Sequence, residues 1–154
     1  MHAILTNENQ SKKKLLIGSL LVTFTAIPAI AATAFSDGKD AIEYRQNAFQ
    51  LIRHNTGDIG DMLQGKVKFD QARLQRRVDA LVGLSTLPWE GFTVAGANQA
   101  SGDAKAEIWT DNADFLSKAE KLQTAAKALQ AAAQTADQAK IKAAFMDFRG
   151  NCKA

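Results

Sequence analysis

Apolar side chains return every three or four residues along most of this chain. Phe115, Ala119, Leu122, Ala126, Leu129 and Ala133 alternate steps of four and three, the seam of a helix lying along its neighbours at a shallow angle. Ile141, Phe145, Phe148 and Cys152 repeat the pattern in a last helix that begins near Asp137, which sets Cys152 on its inward face. An earlier helix starts at Asp70, a good N-cap, with Phe69 placed as a hydrophobic staple. Leu74, Val78, Leu81, Val82 and Ser85 form its buried stripe as far as Pro88. The first helix runs from Asp37 or Gly38 to about Asn55 and Thr56, with Ile42, Gln46, Phe49 and Ile52/Arg53 on one side. Gly57 and Gly60 are expected to interrupt it. β-Branched residues are scattered and nowhere alternate for long, so strands are not expected.

Between the second and third of these helices lies the long segment LPWEGFTVAGANQASGDAKAEIW, rich in glycine and small residues and holding both tryptophans, Trp89 and Trp109. It is too long for a minimal helix-to-helix turn. Short connections at both ends and one crossover in the middle predict an all-α fold, an antiparallel four-helix bundle with one long loop between helices 2 and 3.

The 154 residues suffice for one domain with a fair core, but part of the apolar content belongs to the N-terminus. Lys12, Lys13 and Lys14 precede an apolar run from Leu15 to Ile30 that ends in two A-x-A sites, Ala29-Ile30-Ala31 and Ala32-Thr33-Ala34. That is the form of a signal peptide over residues 1–34, with cleavage after Ala31 or Ala34, and it places residues 35–154 in the periplasm. The run also carries Gly18, Ser19, Thr23, Thr25 and Pro28, which argues against a membrane anchor. The leader takes three lysines and one glutamate with it, so most of the formal charge of +3 goes too. A basic surface for nucleic acid is therefore not implied. Export exposes the chain to an oxidising compartment, where a single cysteine is unusual: Cys152 is buried and inert, bonded to another chain, or used covalently by something else.

Few residues invite catalysis. His54 is the only histidine beyond the leader, and near a helix end it reads as a surface residue. With no second histidine, no paired cysteine and no Glu-x-x-His repeat, zinc and di-iron sites lack ligands, and no serine has a histidine partner in reach of a triad argument. Asp111 and Asp114 complement a helix start. Phe115, Phe145 and Phe148 at helical spacing are core residues in the first instance and a cofactor box in the second. A carrier or binding protein is expected, not an enzyme.

Five stretches, taken in order, resemble the cytochrome c′ family: DAIEYRQNAF, LQGKVKFD, LSTLPWEGF, SGDAKAEIW and AAFMDFRGNCKA. Together they span Asp40 to Ala154. The resemblance implies an exported four-helix protein that holds haem c, with iron five-coordinate and open to small gases such as NO and CO, working in electron transfer, gas binding or both, and pairing as a homodimer. In that family the last helix bears Cys-Lys-Ala-Cys-His or a close variant, two thiols bonding the haem and the histidine binding iron. Carried over by position, Cys152 matches the first thiol, Arg45 and Gln46 lie beside the haem edge, where a guanidinium suits a propionate, Asp103 matches a polar haem contact, and Phe49 stands over the vacant iron face.

NCKA supplies only the front half of that attachment motif, so the axial histidine has no counterpart up to Ala154. The expectation is a chain truncated within the motif and unable, as written, to attach haem covalently in the family manner. A degenerate relative, or haem held without covalent bonds, fits the same tail. Two further functions remain open: a haem-free exported bundle that binds a partner and keeps Cys152 as a small buried residue, and a b-type bundle using His54 as ligand.

Overall fold

The computed structural model describes residues 34–98 and 104–153. The leader-like segment, Asp103 and Ala154 lie outside the described residues. Helix α1 covers Gly38–Leu63, α2 Gln71–Leu84, α3 Glu107–Thr110, α4 Asn112–Gln134 and α5 Gln138–Asn151, with a 3-10 turn at Pro88–Phe92. No strand occurs among the described residues. The long helices form an antiparallel four-helix bundle in which α1 packs on α2 and α5, and α4 closes the ring against α2 and α5. The crossover is less irregular than the sequence pattern suggests, since it holds both the 3-10 turn and the short α3.

Aspartates start all four long helices. Asp37 accepts the Asp40 amide at 2.9 Å, Asp70 that of Arg73 at 2.9 Å, Asp111 that of Asp114 at 3.4 Å, and Asp137 those of Ala139 and Lys140 at 2.9 and 3.2 Å. Each satisfies a donor that the first helical turn leaves unpaired. The two expected interruptions of the first helix do not occur, and α1 runs through Gly57 and Gly60 to Leu63. A helical glycine costs about 1 kcal/mol, an amount that packing on two neighbouring helices outweighs. The helix stops at Gly65, whose φ of +72° is free only to glycine. There Gly65 N–H donates to Met62 O at 3.2 Å and Lys66 N–H to Asp61 O at 3.0 Å, the two bonds of a Schellman ending.

Helix α4 also ends on a left-handed residue, but without the glycine: Ala136 takes φ 54° and donates to Ala133 O at 3.3 Å, while the Asp137 amide goes to Thr135 Oγ1 at 3.2 Å. A Cβ in that region costs about 1–2 kcal/mol. Ala136 is exposed, so its methyl returns little. Ala136→Gly is therefore expected to stabilise the fold by about 1 kcal/mol after the extra unfolded-state freedom of glycine is deducted, seen as a higher urea midpoint.

The core is one cluster fed by all four long helices, with Ile59, Leu74, Val78, Leu81, Leu129, Ile141 and Phe148 fully shielded from solvent. Ala119, Ala125, Ala126 and Ala133 make up most of the buried face of α4, and their small side chains let its neighbours approach closely. The stripes expected on α2, α4 and α5 are the ones turned inward, with Val82 and Phe115 only half-buried and Cys152 exposed. On α1 the buried line is Ala41, Arg45, Ala48, Ile52, Asn55 and Ile59, whereas Gln46 and Phe49 are exposed and Ile42 is only half-buried. The helix is thus turned by one residue from the expected face. A small residue suits position 41, since Gly91 of the crossover lies against the α1 backbone at Ala41.

Asp58 on α1 joins α2 through Arg73 and Arg77, accepting from Arg73 Nε at 2.9 Å and Arg77 Nε at 2.7 Å. The Arg73 hydrogen bond, supported by Arg77, holds the Asp58 carboxyl below the usual carboxylate range despite partial burial. A depressed acid contributes stability that is complete above its unfolded pKa, about 3.9, and is lost as pH falls through the lower folded value. Accordingly, Asp58→Asn should lower the urea midpoint by a constant amount between neutrality and about pH 5. The gap from wild type should close below about pH 4.

Candidate functional site

A cavity of about 1050 Å³ opens between α1, the crossover, α4 and the end of α5, at the upper end of the range of about 300–1,000 Å³ usual for ligand pockets. Phe49 and Ile52 of α1, Trp89 of the crossover, Phe115 and Leu122 of α4 and Phe145 of α5 supply its apolar wall. Arg53, Lys105, Lys118 and Arg149 also line it, with Asp61, Glu107, Asp111 and Asp114 among the acids. Lys118 is held by Asp114 at 2.8 Å, and Asp61 by Lys66 at 3.2 Å. Gly57 and Gly60 of α1 stand in its wall without side chains, and a Cβ on Gly60 would stand 3.4 Å from the Phe145 ring.

A second cavity of about 710 Å³ adjoins it, lined by Arg45, Gln46, Gln50, Phe92 and Ala104. Phe49, Arg53, Ile108 and Phe115 belong to both walls. Aromatic rings make the partition: Trp89 meets Phe49 and Phe115 edge-on at 5.9 and 5.6 Å between centroids, and Phe115 meets Phe92 at 4.9 Å. The Trp89 indole N–H is satisfied by Ser85 O at 2.6 Å, and that of Trp109 by Phe92 O at 2.9 Å. These rings therefore present apolar faces with no polar group left over.

Cys152 caps α5, its amide donating to Phe148 O at 3.2 Å. It does not join the buried stripe of α5. The residue is exposed, at the C-cap just past the last turn of α5, yet it stands in the wall of the larger cavity. Partial burial of the thiol pushes its pKa up, with the Arg149 charge pulling the other way, so at neutral pH it remains a protonated thiol. Of the other expected site residues, Phe49 faces both cavities, and Arg45 and Gln46 line the smaller one. Arg45 is buried and spends Nη1 on Gly91 O and Ala97 O. Asp103 falls outside the described residues. His54 is exposed on α1 and lines neither cavity. Among the three phenylalanines weighed as a cofactor box, Phe115 and Phe145 line the cavity while Phe148 is pure core.

Trp89, Arg53, Lys105, Lys118 and Arg149 were not legible as site residues. Arg149 alone left a usable signal, because it precedes Cys152 by three residues and so shares its side of the helix.

These surfaces fit a flat apolar macrocycle with a carboxylate edge: aromatic and aliphatic walls, cations at the margin and a thiol at one end. A metal ion alone finds less, since no group of three or more His, Cys, Asp or Glu side chains is placed to hold one among the described residues. No histidine or methionine stands among the described lining residues of either cavity. Among the described residues no helix is long and apolar enough to cross a membrane.

Comparison with known proteins agrees with this geometry. The family model described as Cytochrome C′ matches residues 40–154. The cytochrome c′ of Alcaligenes xylosoxydans xylosoxydans is 38% identical over 120 residues, 78% of this chain and 92% of the relative. The solved cytochrome c prime from Shewanella frigidimarina superposes with a TM-score of 0.73 at 48% identity, covering 77% of this chain and 92% of that one. A nitric oxide complex of a variant of cytochrome c prime from Alcaligenes xylosoxidans has a TM-score of 0.70 at 37% identity, covering 77% of this chain and 91% of that one.

Proposed function

This chain belongs to the cytochrome c′ family, and from that membership we propose that its cavity is a slot for haem c, with Cys152 matching the first of the two attaching thiols, in an exported protein that transfers electrons or binds diatomic gases. The observation that carries the reading is the coincidence of an aromatic slot with the thiol of Cys152 in its wall. A haem-free interaction module would not call for a slot of that size walled by Phe49, Trp89, Phe115 and Phe145. When bound, haem supplies one-electron chemistry and an iron position open to a small gas. The nitric oxide complex of a relative supports the gas-binding side.

The chain's own residues divide the remaining work. Trp89, Phe115, Ile52 and Leu122 exclude water from the macrocycle and raise the strength of any charge interaction beside it. Arg53, common to both cavities, joins Arg45 and Gln46 at the carboxylate edge, and by resemblance Asp103 adds a polar contact. Phe49 stands where the cavities meet and narrows the approach to the iron, so small gases are admitted by size. Cleavage after Ala31 or Ala34, periplasmic location and pairing of two copies through the first two helices complete the reading.

The test is to carry the sequence on by a Cys-His pair after Ala154 and export it from a host equipped for c-type maturation. A Soret band that survives acid–acetone extraction is expected; colourless protein would overturn the haem reading. In the loaded protein Phe49→Ala should speed carbon monoxide binding about tenfold, a barrier lowered by about 1.4 kcal/mol. Unchanged rates would remove Phe49 from its role.

A further inference from the structure

Among the side chains that hold the crossover between α2 and α4 to α1, Arg45 is the buried cation. Arg45 is 2% exposed, and its Nη1 donates to Gly91 O at 3.0 Å and to Ala97 O at 2.8 Å. Those carbonyls bracket the segment that follows the 3-10 turn, so a single nitrogen fixes both of its ends. The guanidinium carbon lies 4.3 Å from the Phe92 ring centroid and 5.7 Å from that of Trp109, the stacking a planar cation offers and an ammonium does not. Phe92 in turn contacts Phe49 and Phe115, which wall the larger cavity.

We propose that Arg45 is a positioning residue: it sets the crossover wall of the slot through its own main-chain and aromatic partners. A charge this deeply buried must find its partners within the fold. The bonds to Gly91 and Ala97 join it to main chain 46 and 52 residues away. Through them it orients Phe92, whose carbonyl receives the Trp109 indole. Desolvation lowers the guanidinium pKa from its ordinary value, but arginine remains charged at any physiological pH, so the latch does not open with acidity. Only the purpose of this device rests on the haem reading; its geometry does not.

The experiment uses the haem-free chain, with Arg45→Ala and Arg45→Lys compared to wild type. Expected in Arg45→Ala are loss of the near-ultraviolet tryptophan circular dichroism and about tenfold faster hydrogen exchange at the Trp109 indole and the Ala97 amide. The core amides of Leu81 and Leu129 should keep their protection. Sub-denaturing ethylguanidinium should restore the tryptophan signal in Arg45→Ala. Arg45→Lys, which keeps charge and fold, should stay without it. Wild-type exchange at Trp109 and Ala97 in Arg45→Ala would overturn the proposal, leaving Arg45 to act only toward the cofactor. If Arg45→Ala fails to fold, Arg45→Lys decides, and a wild-type near-ultraviolet spectrum there is likewise fatal. Failure of the chain carried on by a Cys-His pair to take up haem would sink the haem reading and leave these readouts untouched.

Discussion

Phe148→Ala is expected to cost about 3–5 kcal/mol of folding stability, the range for emptying a buried aromatic site. The ring is fully shielded from solvent, at 0% exposure, and belongs to the single core cluster. It lines neither cavity, so no ligand can compensate for its removal. Domains of this size hold about 5–15 kcal/mol in all, and one such loss consumes a large share. Urea unfolding followed by far-ultraviolet circular dichroism should show the midpoint falling with little change in slope. A shift below about 1 kcal/mol would mean that the end of α5 is not part of the cooperative core.

Gly91→Ala should have the second largest effect, for the opposite reason. A Cβ there would lie 2.8 Å from Ala41 O and 3.2 Å from Arg45 Cβ. The first neighbour is helix backbone and cannot swing aside, so the 3-10 turn must lift off α1. Overpacking of this kind costs about 1–3 kcal/mol, and lifting the turn also lengthens the bond from Arg45 to Gly91 O. The expected result is a lower thermal midpoint together with an altered near-ultraviolet spectrum, because Phe92 and Trp109 move with the turn. An unaltered spectrum and midpoint would show that the turn does not seat on α1 as described.

Much of this fold can be read from the residues, and the failures have physical causes. Asp70, Asp111 and Asp137 mark helix starts because a short carboxylate pairs with orphan amides better than those amides pair with water. The seam from Ala119 to Ala133 is unambiguous because its spacing keeps one face for about four turns of a straight rod. The α1 face was misread because burial there is decided by size and by a cation with main-chain partners: Ala41, Arg45 and Ala48 carry little hydropathic signal, while Phe49 is apolar and faces a cavity. Gly57 and Gly60 look like breaks, since local propensity cannot see neighbouring helices holding the backbone in place. The site was legible only in part for a similar reason. Cys152 stood out by its spacing and as a lone exported thiol, but its haem role, like that of Phe49, came from resemblance. Trp89, Arg53 and Lys105 meet there through the path of the crossover, which no periodicity encodes.

Trp89, finally, gives the molecule a built-in optical gauge. Its indole forms part of the cavity wall and its N–H is already engaged by Ser85 O, so its emission answers to what lies against the ring face and little else. A porphyrin lodged there would take up the excited-state energy across a few ångströms and darken the residue. Progress of filling could then be followed in real time on unlabelled protein, by a lamp and a cuvette alone.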